Sequence, residues 1–154
     1  MKQKVLGVLL AVVLCFTGMW NMEVQAEDMG EELDYSYLLT DDALIGYGEA
    51  VTRGVYYSDG CSIINKISTT KIGAGGTTNA NVLCKVSITC IVERETEYGW
   101  ERVTSWTQTN ESAYCAMISK SLTVGTGYWY RVRSHHYAST DSSSSWTGAL
   151  WMGN

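Results

Sequence analysis

The sequence predicts an all-β protein, an antiparallel β-sandwich of about seven short strands. Three observations lead to this prediction: apolar residues recur at every second position, Gly- and Ser-rich breaks separate the runs, and β-branched and aromatic residues dominate them. The clearest run is 81–93, where one face carries Val82, Cys84, Val86, Ile88, Cys90 and Val92. A helix would scatter these residues around its circumference, whereas a strand places them on one buried side of a sheet.

Residues 1–26 have the three-part form of a cleavable secretory signal peptide. Lys2 and Lys4 supply the positive start, an uncharged apolar run follows at 5–20, and a short polar tail ends at Ala26. The apolar run is shorter than the roughly 20 residues that a transmembrane helix needs. We therefore expect a secreted, extracellular product with no membrane span after cleavage.

Residues 27–42 contain seven acidic residues and no basic one. A segment of this composition is typical of a solvated linker or leader. Without residues 1–26, Lys and Arg fall from 11 to 9 and Asp and Glu from 16 to 15, so the net charge is −6. Residues 43–154 have the size of one domain with its own core. The chain is thus divided into a signal peptide (1–26), an acidic linker (27–42) and a β-sandwich domain (43–154).

Turn and strand signals alternate through this domain. The glycines of 73–76 indicate a flexible joint, and Glu97-Tyr98-Gly99 predicts a hairpin turn because Gly accepts a positive φ. Trp100 and Trp106 are expected to share one face of their strand. Besides the strand at 81–93, strands are predicted at 47–57, 61–72, 100–108, 113–122, 128–138 and 146–152, with a serine-rich loop at 139–145.

The segment 122–132, Leu-Thr-Val-Gly-Thr-Gly-Tyr-Trp-Tyr-Arg-Val, resembles the corner segment of fibronectin type III and immunoglobulin-like domains. In those domains a Leu ends one strand, a Gly-containing turn crosses over, and a Tyr at the start of the next strand bonds back to the backbone. The resemblance implies an immunoglobulin/fibronectin-like sandwich with Tyr128 as the structural corner tyrosine. The segment departs from the family pattern at Val124, where Pro is common.

A longer resemblance covers residues 46–150. A Gly-rich turn, a Cys-containing strand, a Glu-Arg…Gly-Trp hairpin and the segment Gly-Tyr-Trp-Tyr-Arg-Val-Arg-Ser-His follow one another in this order. The order resembles a family of small, uncharacterised secreted proteins of Gram-positive bacteria. The resemblance implies a cellular setting and no particular activity.

Four cysteines follow the predicted signal peptide: Cys61, Cys84, Cys90 and Cys115. An even number in an exported chain is typical of a disulfide framework. Cys84 and Cys90 would lie about 20 Å apart on one straight strand and cannot bridge each other. Two connectivities stay open, Cys84–Cys115 with Cys61–Cys90, or Cys61–Cys84 with Cys90–Cys115. Buried free thiols are the alternative, but we expect at least one disulfide.

No reaction centre is recognised in the sequence. His135 and His136 are the two histidines, and neighbours on a strand point to opposite faces. The sequence has no Gly-x-Ser-x-Gly elbow and no Cys-x-x-Cys pair, and its acids fall singly on predicted strand exteriors and turns, not as facing pairs. A net charge of −6 without a basic patch disfavours nucleic acid. We therefore expect a protein that is not an enzyme and that uses no metal and no cofactor.

The strongest candidate site is the outer side of the strand at 128–138. Alternation there predicts a ladder of aromatic and basic residues, namely Trp129, Arg131, Arg133, His135 and Tyr137. Such groups stabilise a sheet by cross-strand stacking and cation–π contacts. Exposed aromatic residues on a rigid sheet also contact sugars and proteins in binding modules.

These observations favour a secreted, non-enzymatic module that binds a cell-surface glycan, a wall component or a protein. Two alternatives stay open. One is a small secreted antagonist, such as a bacteriocin-like toxin, although the acidity of the chain disfavours attraction to anionic membranes. The other is an enzyme with an unrecognised site. Fold does not separate these classes, because β-sandwiches serve all of them.

Overall fold

The computed structural model describes residues 30–50 and 54–153, without the side chains of residues 49 and 50. The predicted signal peptide lies outside the described residues. Within them the fold is all-β and antiparallel, as predicted, with one short 3-10 helix at Tyr35–Tyr37. The strands are β1 (Glu31–Glu32), β2 (Leu44–Tyr47), β3 (Glu49–Ala50), β4 (Tyr57–Lys66), β5 (Lys71–Thr96), β6 (Gly99–Thr123), β7 (Tyr128–Ala138), β8 (Asp141–Trp146) and β9 (Leu150–Met152).

The long hairpin of β5 and β6 belongs to two layers of a sandwich-like fold. Residues 71–79 pair with 115–123, and β4 flanks this part of β5. Residues 84–96 pair with 99–113, and β7 flanks that part. Register shifts between Asn79 and Val86 separate the two halves, and such irregularities bend a sheet. The first layer also contains β1 and β2, and the second layer contains β3, β8 and β9.

The main core lies between the inner faces of the two layers. On β5, Val86, Ile88, Cys90 and Val92 are fully buried, which confirms the predicted alternation over this part of the strand. Val82 is exposed because it lies at the bend between the layers. The predicted hairpin is also confirmed, since Thr96 pairs with Gly99 and the φ of Gly99 is 112°.

Residues 30–42 pack against the outer side of the first layer. Leu38 is fully buried there against Cys61 and Ile63, and β1 pairs with the end of β6. Glu31 and Glu32 form ion pairs of 2.6 Å with Lys71 and Lys120, respectively. Residues 30–42 are therefore not solvated throughout, because a few apolar side chains bind an otherwise acidic segment to the sheet.

The glycines of 73–76 lie inside β5 and do not form the predicted joint. A Cβ at Gly75 would lie 2.0 Å from the carbonyl oxygen of Ile118, and one at Gly76 would lie 2.1 Å from that of Cys61. Backbone atoms cannot yield to such contacts. These glycines therefore permit close approach of the strands on both sides of β5, which is a structural use of Gly other than flexibility.

Trp100 and Trp106 lie on opposite faces, contrary to the prediction. Val92 pairs with Thr104, whereas the next residue, Glu93, pairs with Arg102. The extra residue on β6 is a bulge that reverses the facing of the residues before it. Trp106 is consequently part of the core, whereas Trp100 faces outward.

The serine-rich segment predicted as a loop forms strand β8. The chain turns instead at residues 139–140, where Ser139 has a φ of 53°. Ser143 and Ser145 are buried and face the core, whereas Ser142 and Ser144 face outward. Serine is permitted at the buried positions because other polar groups are buried opposite them.

A chain of buried polar groups joins the two layers. The Nε2 of His136 lies 2.7 Å from Ser145 Oγ, and its Nδ1 lies 2.8 Å from Thr78 Oγ1. Ser62 on β4 completes the chain, with its Oγ 2.7 Å from Ser145 Oγ and 2.8 Å from Ser134 Oγ. Both ring nitrogens of the fully buried His136 thus have partners. Burial lowers the pKa of His136 to about 4, and the charge of His135 acts in the same direction.

Tyr130, not Tyr128, bonds back to the backbone of the preceding turn. Its phenol donates to the carbonyl oxygen of Gly125 over 3.0 Å. Tyr128 is 40% exposed, and its ring packs against Arg94, 4.7 Å from the guanidinium carbon to the ring centroid. The assignment of Tyr128 as the corner tyrosine is wrong, because the phenol that bonds back to the turn at 124–127 belongs to the residue two positions further into the strand.

The stability of the protein should fall as the pH falls from about 7 to about 4. The unfolded chain protonates His136 near 6.5, whereas the folded protein holds it neutral down to about 4, so the unfolded state binds the additional proton in this range. The expected loss is ~3 kcal/mol. Urea unfolding across this pH range should show this loss in the free energy of unfolding. In His136→Gln, the loss over the same pH range should be smaller by about this amount. An unchanged slope in the variant would assign the effect to carboxylates.

Tyr130→Phe should destabilise the protein by about 1 kcal/mol, because it removes one partly buried hydrogen bond while the ring stays. Tyr128→Phe is the matched control and should change the free energy of unfolding by a few tenths at most, since its phenol lies at an exposed position. Chemical denaturation of both variants checks this prediction. If Tyr128→Phe lowers the free energy of unfolding more than Tyr130→Phe does, Tyr128 is the structural tyrosine.

Candidate functional site

The outer face of the second layer holds all five residues of the predicted ladder. Trp129, Arg131, Arg133, His135 and Tyr137 occupy alternate positions of β7, and the residues between them face the core. Tyr130, Val132, Ser134 and His136 are accordingly buried, whereas Trp129 and Tyr137 are 42% and 49% exposed. The structure therefore brings the five residues to one side of the molecule.

Glu93 on β5 lies at the centre of the charged part of this face. Its carboxylate is almost completely buried, although both arginine partners reach solvent. Oε2 accepts from Arg131 Nε over 2.7 Å, and Oε1 lies 3.2 Å from Arg133 Nη2. A buried carboxylate with two cationic partners fixes the position of both.

Trp100 provides a second contact for Arg131. The guanidinium carbon lies 4.3 Å above the centroid of the Trp100 ring, a cation–π geometry. Arg131 is thus held between a carboxylate and an indole, and these two contacts restrict the conformations of its side chain. Sequence analysis missed Trp100 because the bulge in β6 that turns this side chain outward has no local signature.

Two further tryptophans extend the face beyond β7. Trp151 on β9 pairs in register with Trp129, and their ring centroids lie 5.2 Å apart at an interplanar angle of 48°. Trp146 on β8 pairs in register with Arg133 and is 60% exposed. On one continuous strand, Trp146 and Trp151 would point to opposite sides. They share a face because the chain leaves β8 and returns to the other end of β7 as β9.

Trp129, Arg131, Arg133, Trp146 and Trp151 together form what we name the aromatic–basic face. His135 and Tyr137 lie beyond it, at the other end of β7. His135 Nδ1 lies 3.1 Å from Ser144 Oγ, and the neighbouring positions of β5 carry hydroxyl side chains that bond to β6, such as Thr89 to Thr107 at 2.9 Å. In this second part of the ladder, one ring nitrogen of His135 already has a partner within the sheet.

A cavity of about 420 Å³ lies elsewhere, between the two halves of β6. Glu32, Ser105, Trp106, Thr107, Gln108, Met117, Ile118 and Lys120 line it. Its two charged residues, Glu32 and Lys120, pair with each other at 2.6 Å. The aromatic–basic face is the better candidate site, because its aromatic rings are exposed and Trp106 is buried.

The four described cysteines are free, so the predicted disulfides are absent from this structure. The thiols lie in different environments: Cys61 under the N-terminal segment, Cys90 between the layers, Cys84 at the bend, and Cys115 exposed. Burial raises the pKa of Cys90 to about 12, so its thiolate is strongly disfavoured. Cys61 and Cys90 thus fill space as small hydrophobic residues.

In the part of the chain that the structure describes, two Ser–His pairs lie within hydrogen-bond distance: His136 with Ser145, both buried in the core, and His135 with Ser144 on the outer side of β7 and β8. In residues 30–50 and 54–153, no group of three or more His, Cys, Asp and Glu residues is arranged to hold a metal ion. Across the same residues, no helical segment has the length and apolar content that a membrane span requires.

Comparison of the chain with models of protein families, with curated proteins and with solved structures finds no match. The assignment of function therefore depends on the residues of the site.

Glu93→Gln should destabilise the protein by ~2 kcal/mol or more, because it leaves two adjacent arginines without their buried counter-charge. Glu101→Gln is the matched control. Glu101 is half exposed and lies 3.8 Å from Arg94, so this change should cost no more than about 0.5 kcal/mol. Denaturant unfolding of both variants at neutral pH measures the difference. Equal effects would show that Glu93 does not organise the face.

Proposed function

We propose that this protein is a secreted, non-enzymatic binding module that recognises a cell-surface glycan through the aromatic–basic face. The observation that carries the proposal is the set of three exposed indoles, Trp129, Trp146 and Trp151, that β7, β8 and β9 place on the same side as Arg131 and Arg133. Secretion is part of the proposal and is supported by the sequence of residues 1–26. A wall setting in a Gram-positive bacterium is supported by the resemblance of residues 46–150.

The rigidity of the face supports a binding role. All three indoles belong to paired strands, so little backbone freedom is lost when a ligand binds. An indole presents a large flat surface with few rotatable bonds, and exposed aromatic residues of this kind contribute most of the affinity at many binding surfaces. Three exposed indoles on one side of a small protein form a large apolar patch, and such patches on soluble proteins mark interaction sites.

Co-sedimentation with isolated cell walls tests the proposal directly. The chain without residues 1–26 is suitable, because it contains every residue of the described fold. Protein that pellets with walls supports the proposal. Protein that stays in the supernatant with walls, and also with intact cells, contradicts wall or glycan binding and favours a diffusible role such as that of an antagonist, which growth inhibition of neighbouring strains would reveal.

Trp146→Ala should weaken wall binding about tenfold or more, since truncation removes the most exposed ring of the face. Tyr47→Ala is the matched control, because Tyr47 is a 77% exposed aromatic residue on β2, in the other layer. Both variants should unfold at nearly the same denaturant concentration as the wild type. Wall binding that falls equally in both, or in neither, would contradict the assignment of the site.

A further inference from the structure

The aromatic–basic face contains more positive than negative charge. Glu93 contacts both Arg131 and Arg133, so one carboxylate serves two guanidinium groups. Across the hairpin, Arg102 pairs in register with Glu93, and the exposed Glu95 pairs with Trp100. The charged residues of this group are therefore three arginines, Arg102, Arg131 and Arg133, and two glutamates, Glu93 and Glu95. A local positive excess is notable in a chain whose formal net charge is −5.

The two central arginines differ in their freedom to bind a ligand. Arg131 is held by Glu93 through Nε and by the ring of Trp100, and its side chain is 26% exposed. Arg133 contacts Glu93 through Nη2 alone, and its side chain is 41% exposed. A guanidinium has five N–H donors. The Nε of Arg133 is buried, so the donors that can pair with an anion are those of its Nη atoms, and Glu93 fixes the direction in which they point.

Arg133 also lies beside one of the exposed indoles. It pairs in register with Trp146 on β8, and directly opposed side chains in a sheet start about 5 Å apart. Trp129 is four residues along the same strand, about 13 Å away at strand rise, and Trp151 lies against it. A chain of sugar units lying across these rings would thus place its substituents next to the guanidinium.

We propose that the ligand of the aromatic–basic face is an anionic glycan, whose sugar units carry carboxylate or phosphate groups, and that Arg133 binds the anionic group. This inference rests on the proposed function and specifies the chemistry of its ligand. Neutral sugars would contact the indoles but would supply no negative charge to the two arginines that share Glu93. Carboxylate and phosphate both match the planar donors of Arg, so the two sources are separated by experiment.

The test compares charged and neutral forms of the same glycan by titration calorimetry. Oligogalacturonate and its methyl ester form the carboxylate arm, and phosphorylated and dephosphorylated mannan form the phosphate arm. The wild type should bind at least one charged probe about tenfold more tightly than its neutral form. Added salt should weaken this binding, because the arginine is accessible to solvent. The arm that shows the difference identifies the anionic group.

Arg133→Gln should lose this preference and bind the charged probe about tenfold more weakly, whereas Arg133→Lys should lose less because the charge stays. Lys66→Gln changes the net charge equally at an exposed position on β4, in the other layer, and should bind as the wild type does. Equal affinity for charged and neutral probes, or an Arg133→Gln variant that binds normally, would overturn the proposal.

Wall binding separates this inference from the proposed function. If the wild type binds none of the charged probes but still pellets with walls through Trp146, the ligand is not an anionic glycan of these classes, and the binding face stands. If the wild type neither binds the probes nor pellets with walls, both proposals fail. If Trp146→Ala binds the charged probes as tightly as the wild type does, the anion site does not lie on this face.

Discussion

The pairing register of the β5–β6 hairpin is the constraint on which the rest of the structure depends. Both layers contain one half of each strand, so the same ladder of backbone hydrogen bonds sets which side chains face the core in both layers. A slip of one residue would turn Val86, Ile88, Cys90 and Val92 outward together. The irregularities between Asn79 and Val86 bend the sheet, and the bulge after Val92 decides that Glu93 and Trp100 share the outer face.

The sequence alone predicts which residues face the core wherever apolar and polar residues alternate without interruption. The burial of the second half of β5 and the outward facing of alternate β7 residues follow from a period of two. Prediction failed where a non-local contact decides the outcome. Gly75 and Gly76 accommodate neighbouring backbones, Ser145 enters the core because His136 is there, and Leu38 binds an acidic segment to the sheet. Trp146 and Trp151 share a face only because the chain crosses from β8 to β9.

Glu93 shows why the charged site is tied to the fold. A carboxylate this deeply buried is unfavourable unless cations and hydrogen bonds compensate it. Arg131 and Arg133 provide that compensation, and they come from the strand that pairs directly with β5. The sheet therefore requires cations at these positions for stability. One guanidinium would neutralise the carboxylate, so the two arginines and Glu93 together carry one excess positive charge.

Strand β7 connects stability and recognition through its two faces. Its inward residues, Tyr130, Val132, Ser134 and His136, contribute to the core and to the polar chain between the layers. Its outward residues contact β5, β8 and β9 along one exposed surface. Because neighbouring positions face opposite sides, Trp129 or Arg133 can change without altering core volume. Arg131 is the exception, since it makes the shorter contact with the buried Glu93 and also packs over the ring of Trp100. Specificity can therefore vary at the tryptophans and at Arg133, whereas the Glu93–Arg131 pair keeps the surface in place.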